Sequence, residues 1–93
     1  ASKRDNALMH LKKQIAFQQD QLTQLQNDRI YFKRQQIEHL RKAENIPTTL
    51  KNSLDNNQKN IELKKENIQS LQMHYRNTQL EYDRIIARLK ALE

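Results

Sequence analysis

Six apolar or aromatic residues recur at every seventh position in the second half of the chain, and this repeat constrains the fold more than any other feature. They are Leu54, Ile61, Ile68, Tyr75, Tyr82 and Leu89. Much of a companion line, three residues further along, is filled by Leu50, Leu71, Ile85 and Leu92. Two such lines make one apolar seam on an α-helix, and a second helix must pack on that seam to bury it. The repeat therefore predicts a coiled coil.

The first half of the chain carries its own helical pattern. One line holds Leu8, Ile15 and Leu22, and the other holds Leu11, Leu25 and Phe32. After Leu22 we expect the first line to move by one residue, to Ile30 and Ile37, with Leu40 in the shifted register. One added residue rotates the seam and relaxes the supercoil, which we expect near residues 26–33.

The only proline, Pro47, separates the two patterns. Proline disfavours helical geometry at Ile46 and is tolerated in the first turn of the following helix, where Thr48 is an alternative N-cap. We expect helix one over about 4–44, a turn over about 45–47 and helix two over about 48–92. So short a turn places the helices side by side. The predicted fold class is all-α: a single unit, 1–93, of two long helices forming an antiparallel coiled-coil hairpin.

Folding the chain about this turn predicts which residues meet across the seam. Leu25 is expected opposite Ile68, and Leu11 opposite Tyr82. Asn57 and Lys64 are polar residues within the seam of helix two. Polar seam residues usually set the register and the number of helices at some cost in stability.

Composition restricts the chemistry that the chain can perform. It contains no glycine and no cysteine, which removes glycine-rich phosphate loops and thiol chemistry. Its histidines, His10, His39 and His74, do not have the spacing of metal ligands. We identify no catalytic, cofactor-binding or metal-binding residue, and we expect neither a cofactor nor enzymatic activity. No apolar stretch approaches the roughly 18 residues that span a bilayer.

A formal net charge of +6 raises the possibility of an anionic partner. The candidate anion-binding residues are four basic pairs: Lys12 and Lys13, Lys33 and Arg34, Arg41 and Lys42, and Lys64 and Lys65. The alternative interpretation is the solvated surface of a coiled coil, because acidic residues are interspersed among the basic ones.

Two weaker apolar lines fall away from the main seam. Met73, Leu80 and Ala87 repeat every seven residues on helix two, and Phe17 and Tyr31 lie two heptads apart on helix one. An exposed apolar line often marks a further helix-packing surface. These residues are the possible interaction surface, either for a second copy (a homodimer or four-helix bundle) or for another protein. The alternative is that they are scattered surface residues.

Three segments of the chain read RDNALMHLKKQI (residues 4–15), IPTTL (residues 46–50) and YDRIIARL (residues 82–89). The first resembles an "RDxxLxxLxxQI" opening, the second an "(I/V)PxxL" turn and the third, loosely, a "(F/Y)xxDxxRxxxL" ending. Together they resemble the coiled-coil tail of a family of uncharacterised proteobacterial envelope proteins. The family's members have a signal peptide and a small N-terminal domain of unknown function. The resemblance implies a bacterial protein of the periplasm or cell envelope; without it, the cytoplasm is the alternative. We expect the chain, which starts at Ala1, to be a fragment of a longer protein.

Two functions compete at this point. The leading hypothesis is a non-enzymatic structural or interaction module, a rigid hairpin for spacing, self-association or partner docking. The alternative is a basic helical arm that binds nucleic acid through phosphate contacts, similar in shape to the tRNA-binding arm of seryl-tRNA synthetases.

Overall fold

Two long α-helices form an antiparallel hairpin in the computed structural model, which describes residues 2–92. Helix α1 is Ser2–Arg41 and helix α2 is Thr48–Leu92. The hairpin is a rod of 76 × 16 × 15 Å. The predicted fold class, all-α with two long helices in a hairpin, is therefore confirmed. The outer limits of the predicted unit, Ala1 and Glu93, lie outside the described residues.

Helix α1 ends in a left-handed cap without glycine. Ala43 has φ 57°, the Ala43 N–H donates to the Leu40 carbonyl at 3.1 Å, and the Glu44 N–H donates to the His39 carbonyl at 2.9 Å. This pair of bonds is the Schellman motif, which satisfies carbonyls at a helix C-terminus. The Glu44 carboxylate also lies 2.9 Å from His39 Nδ1. The cap ends α1 at Arg41, three residues before the expected end at position 44.

Pro47 occupies the N-cap of helix α2. Its carbonyl accepts a hydrogen bond from the Lys51 N–H at 3.1 Å, and helical geometry begins at Thr48. Thr48 is therefore the first helical residue and not the N-cap. A proline here costs no hydrogen bond, because a helix leaves its first N–H groups without intrahelical partners.

The seam of α2 follows the predicted heptad line over most of its length. Its buried or half-buried members are Leu50, Leu54, Asn57, Ile61, Lys64, Ile68, Leu71, Tyr75, Thr78 and Tyr82. The line then continues at Ile85, Leu89 and Leu92, which are exposed.

The expected shift of register in α1 is wrong. Ile30, Ile37 and Leu40 are more than half exposed. The seam instead keeps strict heptads through Arg29 and Gln36, both half-buried. Helix α2 has an unbroken seven-residue repeat, and two helices stay in contact only when their seams follow the same period. The partner helix therefore imposes the period, even where it places polar residues in the seam.

The predicted pairing across the seam is wrong by about one heptad. The Asn57 side chain donates to the Leu25 carbonyl at 2.9 Å, and the Lys12 ammonium lies 5.9 Å from the centre of the Tyr75 ring. The predicted pairing placed Leu25 at Ile68. A slip of seven residues keeps seam positions facing seam positions, and in the observed register the polar seam residues Asn57 and Lys64 have hydrogen-bond partners on α1.

Lys64 shows why the observed register is preferred. Its ammonium donates to the side-chain carbonyls of Gln18 and Gln21, both at 2.6 Å. The predicted pairing would have placed Lys64 at the level of Arg29, where like charges repel. The slip also leaves the last heptad of α2 extending beyond the start of α1, which explains why Ile85, Leu89 and Leu92 are exposed.

Candidate docking face

The two sides of the hairpin that flank the seam differ sharply in charge. In an antiparallel pair, positions next to the seam on one side of α1 face the corresponding positions of α2. One side carries Lys12 and Lys33 from α1 with Lys51 and Lys65 from α2. A groove on that side is lined by Arg29, Lys33, Gln36, Lys51, Leu54, Asp55 and Gln58. We call this the lysine side.

The central stretch of the opposite side, over residues 14–35 of α1 and 53–74 of α2, is almost free of charge, and we call it the neutral face. Helix α1 contributes Gln14, Phe17, Gln21, Gln24, Asp28, Tyr31 and Gln35; helix α2 contributes Ser53, Asn56, Asn60, Leu63, Asn67, Ser70 and His74. Asp28 is the one carboxylate among these residues, in a chain in which 30% of residues are charged. Depletion of charge is the compositional mark of the centre of a protein interface.

An open groove of about 450 Å³ lies at the centre of the neutral face. It is lined by Gln21, Gln24, Leu25, Asn60, Leu63, Lys64 and Asn67. Lys64 adds a positive charge there, which offsets that of Asp28, and its ammonium is held by two glutamine carbonyls. The centre of the face is thus neutral overall and rich in amides that can donate and accept hydrogen bonds.

Three large side chains protrude from the neutral face. Phe17 and Tyr31 are each 59% exposed, and Leu63 is 62% exposed. Phe17 and Tyr31 lie seven residues to either side of Gln24, so all three share one stripe of α1. Leu63 of α2 and Gln24 of α1 line the same groove. Exposed aromatic and aliphatic side chains in a charge-depleted surface are typical of a protein-docking site.

The predicted interaction residues fall on two separate surfaces. Phe17 and Tyr31 belong to the neutral face, whereas Met73, Leu80 and Ala87 lie on the outer edge of α2, away from the seam. That outer line also carries Lys59 and Glu66 at the same heptad position, so it is less apolar than the sequence pattern indicated.

The eight predicted anion-binding residues do not converge on one surface. Lys12 lies over the Tyr75 ring, and Lys64 is bound within the seam. Arg41 and Lys42 lie 4.0 and 3.9 Å from the Glu38 carboxylate. Lys33 and Lys65 belong to the lysine side, while Lys13 and Arg34 are on the outer edge of α1.

The sequence reasoning missed two features of these surfaces. One is the groove that brings Arg29 and Lys51 beside Lys33. The other is Leu63 with its surrounding amides. The signal for both was available, because assigning heptad positions to each helix separates the charged side from the uncharged one.

Within residues 2–92, no group of three or more histidine and acidic side chains is placed to hold a metal ion. No helix in the same range has the length and hydropathy needed to cross a bilayer. The chain was compared with protein-family models, curated proteins and solved structures, and none of them matches it.

Proposed function

We propose that this chain is a non-enzymatic structural module that docks on protein through its neutral face. Its form is a rod 76 Å long with one seam between two helices, which suits spacing and helix-to-helix packing. The observation that carries the proposal is the charge-depleted surface around Phe17, Tyr31 and Leu63, in a chain that is otherwise highly charged. A surface that contacts only solvent usually carries charged residues, so a long stretch without lysine or glutamate favours a docking role.

A location in a bacterial envelope belongs to this proposal as an expectation from the sequence resemblance. Its support is the match of residues 4–15 and 46–50 to the family's opening and turn patterns, with a loose resemblance of residues 82–89 to its ending. Fractionation of the producing cells tests it: recovery with periplasmic or envelope markers supports the location, and recovery with cytoplasmic markers contradicts it.

A photo-crosslinking residue placed on each side of the hairpin tests the docking function. Benzoylphenylalanine replaces Tyr31 on the neutral face or Ile37 on the lysine side, and the full chain is irradiated in the cells that produce it. The two positions are closely matched, at 59% and 54% exposure. We expect a defined protein adduct, self or other, from position 31 that is lost when Leu63→Glu is added. Adducts from position 37 alone, or none from either position, would contradict docking through the neutral face.

The second candidate function is binding of a nucleic-acid backbone. The observation that favours it is the groove lined by Arg29, Lys33 and Lys51, whose single carboxylate is Asp55. Phosphate binding through such residues weakens steeply as salt rises. Fluorescence anisotropy with a labelled RNA duplex tests it: micromolar binding at physiological salt that is lost in Lys33→Gln with Lys51→Gln would establish this function. Our proposal predicts that the RNA binds only at low salt.

A further inference from the structure

We infer that the neutral face docks on the neutral face of a second copy of this chain, turned end for end. The inference rests on the proposed function and names its partner. The twofold axis lies in the plane of the interface, across the long axis of the hairpin, and passes through Gln24 and Leu63. The product is a four-helix bundle in which α1 packs on α1 and α2 packs on α2, each pair antiparallel.

The placement of the three protruding side chains carries this inference. Phe17 and Tyr31 are each seven residues from Gln24, on opposite sides of it, and Leu63 stands at the level of Gln24 across the groove. A twofold rotation about this axis brings Phe17 of one copy to Tyr31 of the other. The same rotation brings the two Leu63 side chains together. Isologous interfaces require this kind of self-complementary surface.

The alternative twofold axis, along the rod, does not match apolar groups. It would keep the two rods pointing the same way and place α1 of one copy on α2 of the other. Leu63 would then face Gln24, Phe17 would face the level of Ser70, and Tyr31 would face the level of Asn56. The end-for-end arrangement is therefore the one in which aromatic meets aromatic and leucine meets leucine.

The distribution of charge favours association of two copies through the neutral face over association through other surfaces. Each copy carries a net charge of +6, so two copies repel unless they meet where the charge is lowest. The neutral face, with Asp28 and Lys64 offsetting each other, is that surface. The end-for-end rotation also carries Asp28 of one copy to about the level of Gln21 of the other, the residue that holds Lys64 at 2.6 Å.

The size of the face sets the strength of the association. It extends from Gln14 to Gln35, about 32 Å at 1.5 Å per residue. With a width of 16 Å, two copies would bury on the order of 1,000 Å², near the lower limit for specific interfaces. We therefore expect a reversible dimer with a micromolar dissociation constant, and no permanent assembly.

Analytical ultracentrifugation of the full chain over about a hundredfold range of concentration tests the dimer. Leu63→Glu and Met73→Glu are a matched pair, because both residues are on α2 and both are 62% exposed. Leu63→Glu places like charges across the axis and should weaken the dimer by about 100-fold or more. Met73→Glu, on the outer edge, should leave the dissociation constant within about threefold of the wild type.

Cysteine crosslinking fixes the arrangement, since the chain has no cysteine of its own. Leu63→Cys should form an intermolecular disulfide, because the paired residues lie beside the axis. When the Phe17→Cys and Tyr31→Cys variants are mixed, a disulfide should form between them. Phe17→Cys alone should form no disulfide-linked dimer, because position 17 of one copy would be about 21 Å from position 17 of the other.

Each outcome of these experiments bears on the inference. A monomer at every concentration, or self-crosslinking of Phe17→Cys, would overturn it. A monomer that still gives an adduct with another protein from position 31 would overturn the dimer but support the proposed docking function. If no adduct forms from the neutral face, both the dimer and the docking function are contradicted.

Discussion

The buried Asn57 side chain leads to a prediction with an unusual sign: replacing this seam residue by leucine stabilises the hairpin. Asn57 is 5% exposed, its amide N–H donates to the Leu25 carbonyl, and its Oδ1 atom is buried without a hydrogen-bond partner. An unpaired buried polar atom costs about 1–3 kcal/mol, and the hydrogen bond that is lost contributes about 1 kcal/mol. Leucine also adds about 1–2 kcal/mol of apolar burial.

The free energy of unfolding of Asn57→Leu should therefore rise by about 1–3 kcal/mol. Urea denaturation followed by circular dichroism measures this change at a concentration where the chain is monomeric. Asn52→Leu, an exposed position on the outer edge of α2, is the control and should stay within about 0.5 kcal/mol of the wild type. A loss of stability in Asn57→Leu beyond that margin would refute the reasoning, because it would show that Oδ1 is satisfied in solution.

The same substitution tests how the register is determined. Asn57→Leu alone should keep one register, since Lys64 still binds Gln18 and Gln21. Combining Asn57→Leu with Lys64→Leu removes both polar determinants and should populate the register that is one heptad away. Spin labels at Lys13 and Asn52, both exposed, report this slip as a second distance about 10 Å longer. A single unchanged distance in the double variant would show that the turn alone sets the register.

The remaining predictions concern the turn and the seam. Ala43→Gly should stabilise the hairpin by about 1 kcal/mol, because glycine adopts the left-handed geometry of φ 57° without the steric cost paid by alanine. Thermal unfolding checks this, and a lower melting temperature would contradict the assigned cap. Ile68→Asp should cost about 3 kcal/mol or more, since Ile68 is buried in the seam. Ile37→Asp, exposed on the lysine side, should cost less than about 0.5 kcal/mol. Equal losses for the two aspartate variants would contradict the unbroken heptad in α1.

The sequence was sufficient to predict the helices and the α2 seam, because both depend on local periodicity. The line from Leu54 to Tyr82 could be read directly from its seven-residue spacing. The α1 seam could not be read in the same way, since Ile30 and Ile37 are apolar yet exposed, while Arg29 and Gln36 are polar yet half-buried. In a long coiled coil the period of the partner helix outweighs the preference of single residues.

The register of the two helices and the composition of the neutral face were harder to predict, because both depend on how α1 and α2 are placed against each other. A slip of one heptad leaves seam positions facing seam positions, so the heptad pattern alone does not choose between the two registers. The two registers differ in a few polar contacts, such as the hydrogen bond between Lys64 and Gln18, which are 46 residues apart in the chain. The neutral face, likewise, exists only after both helices are placed in register, because it is assembled from both.

An amide chemical-shift dilution series tests the central claim that the neutral face is the docking surface. The isotope-labelled chain is diluted about a hundredfold across the micromolar range expected for an interface of this size. We predict concentration-dependent shifts confined to the neutral face, largest near Phe17, Gln24, Tyr31 and Leu63, with Ile37 and Lys65 unchanged. Shifts concentrated on the lysine side, or spread evenly along both helices, would contradict the account.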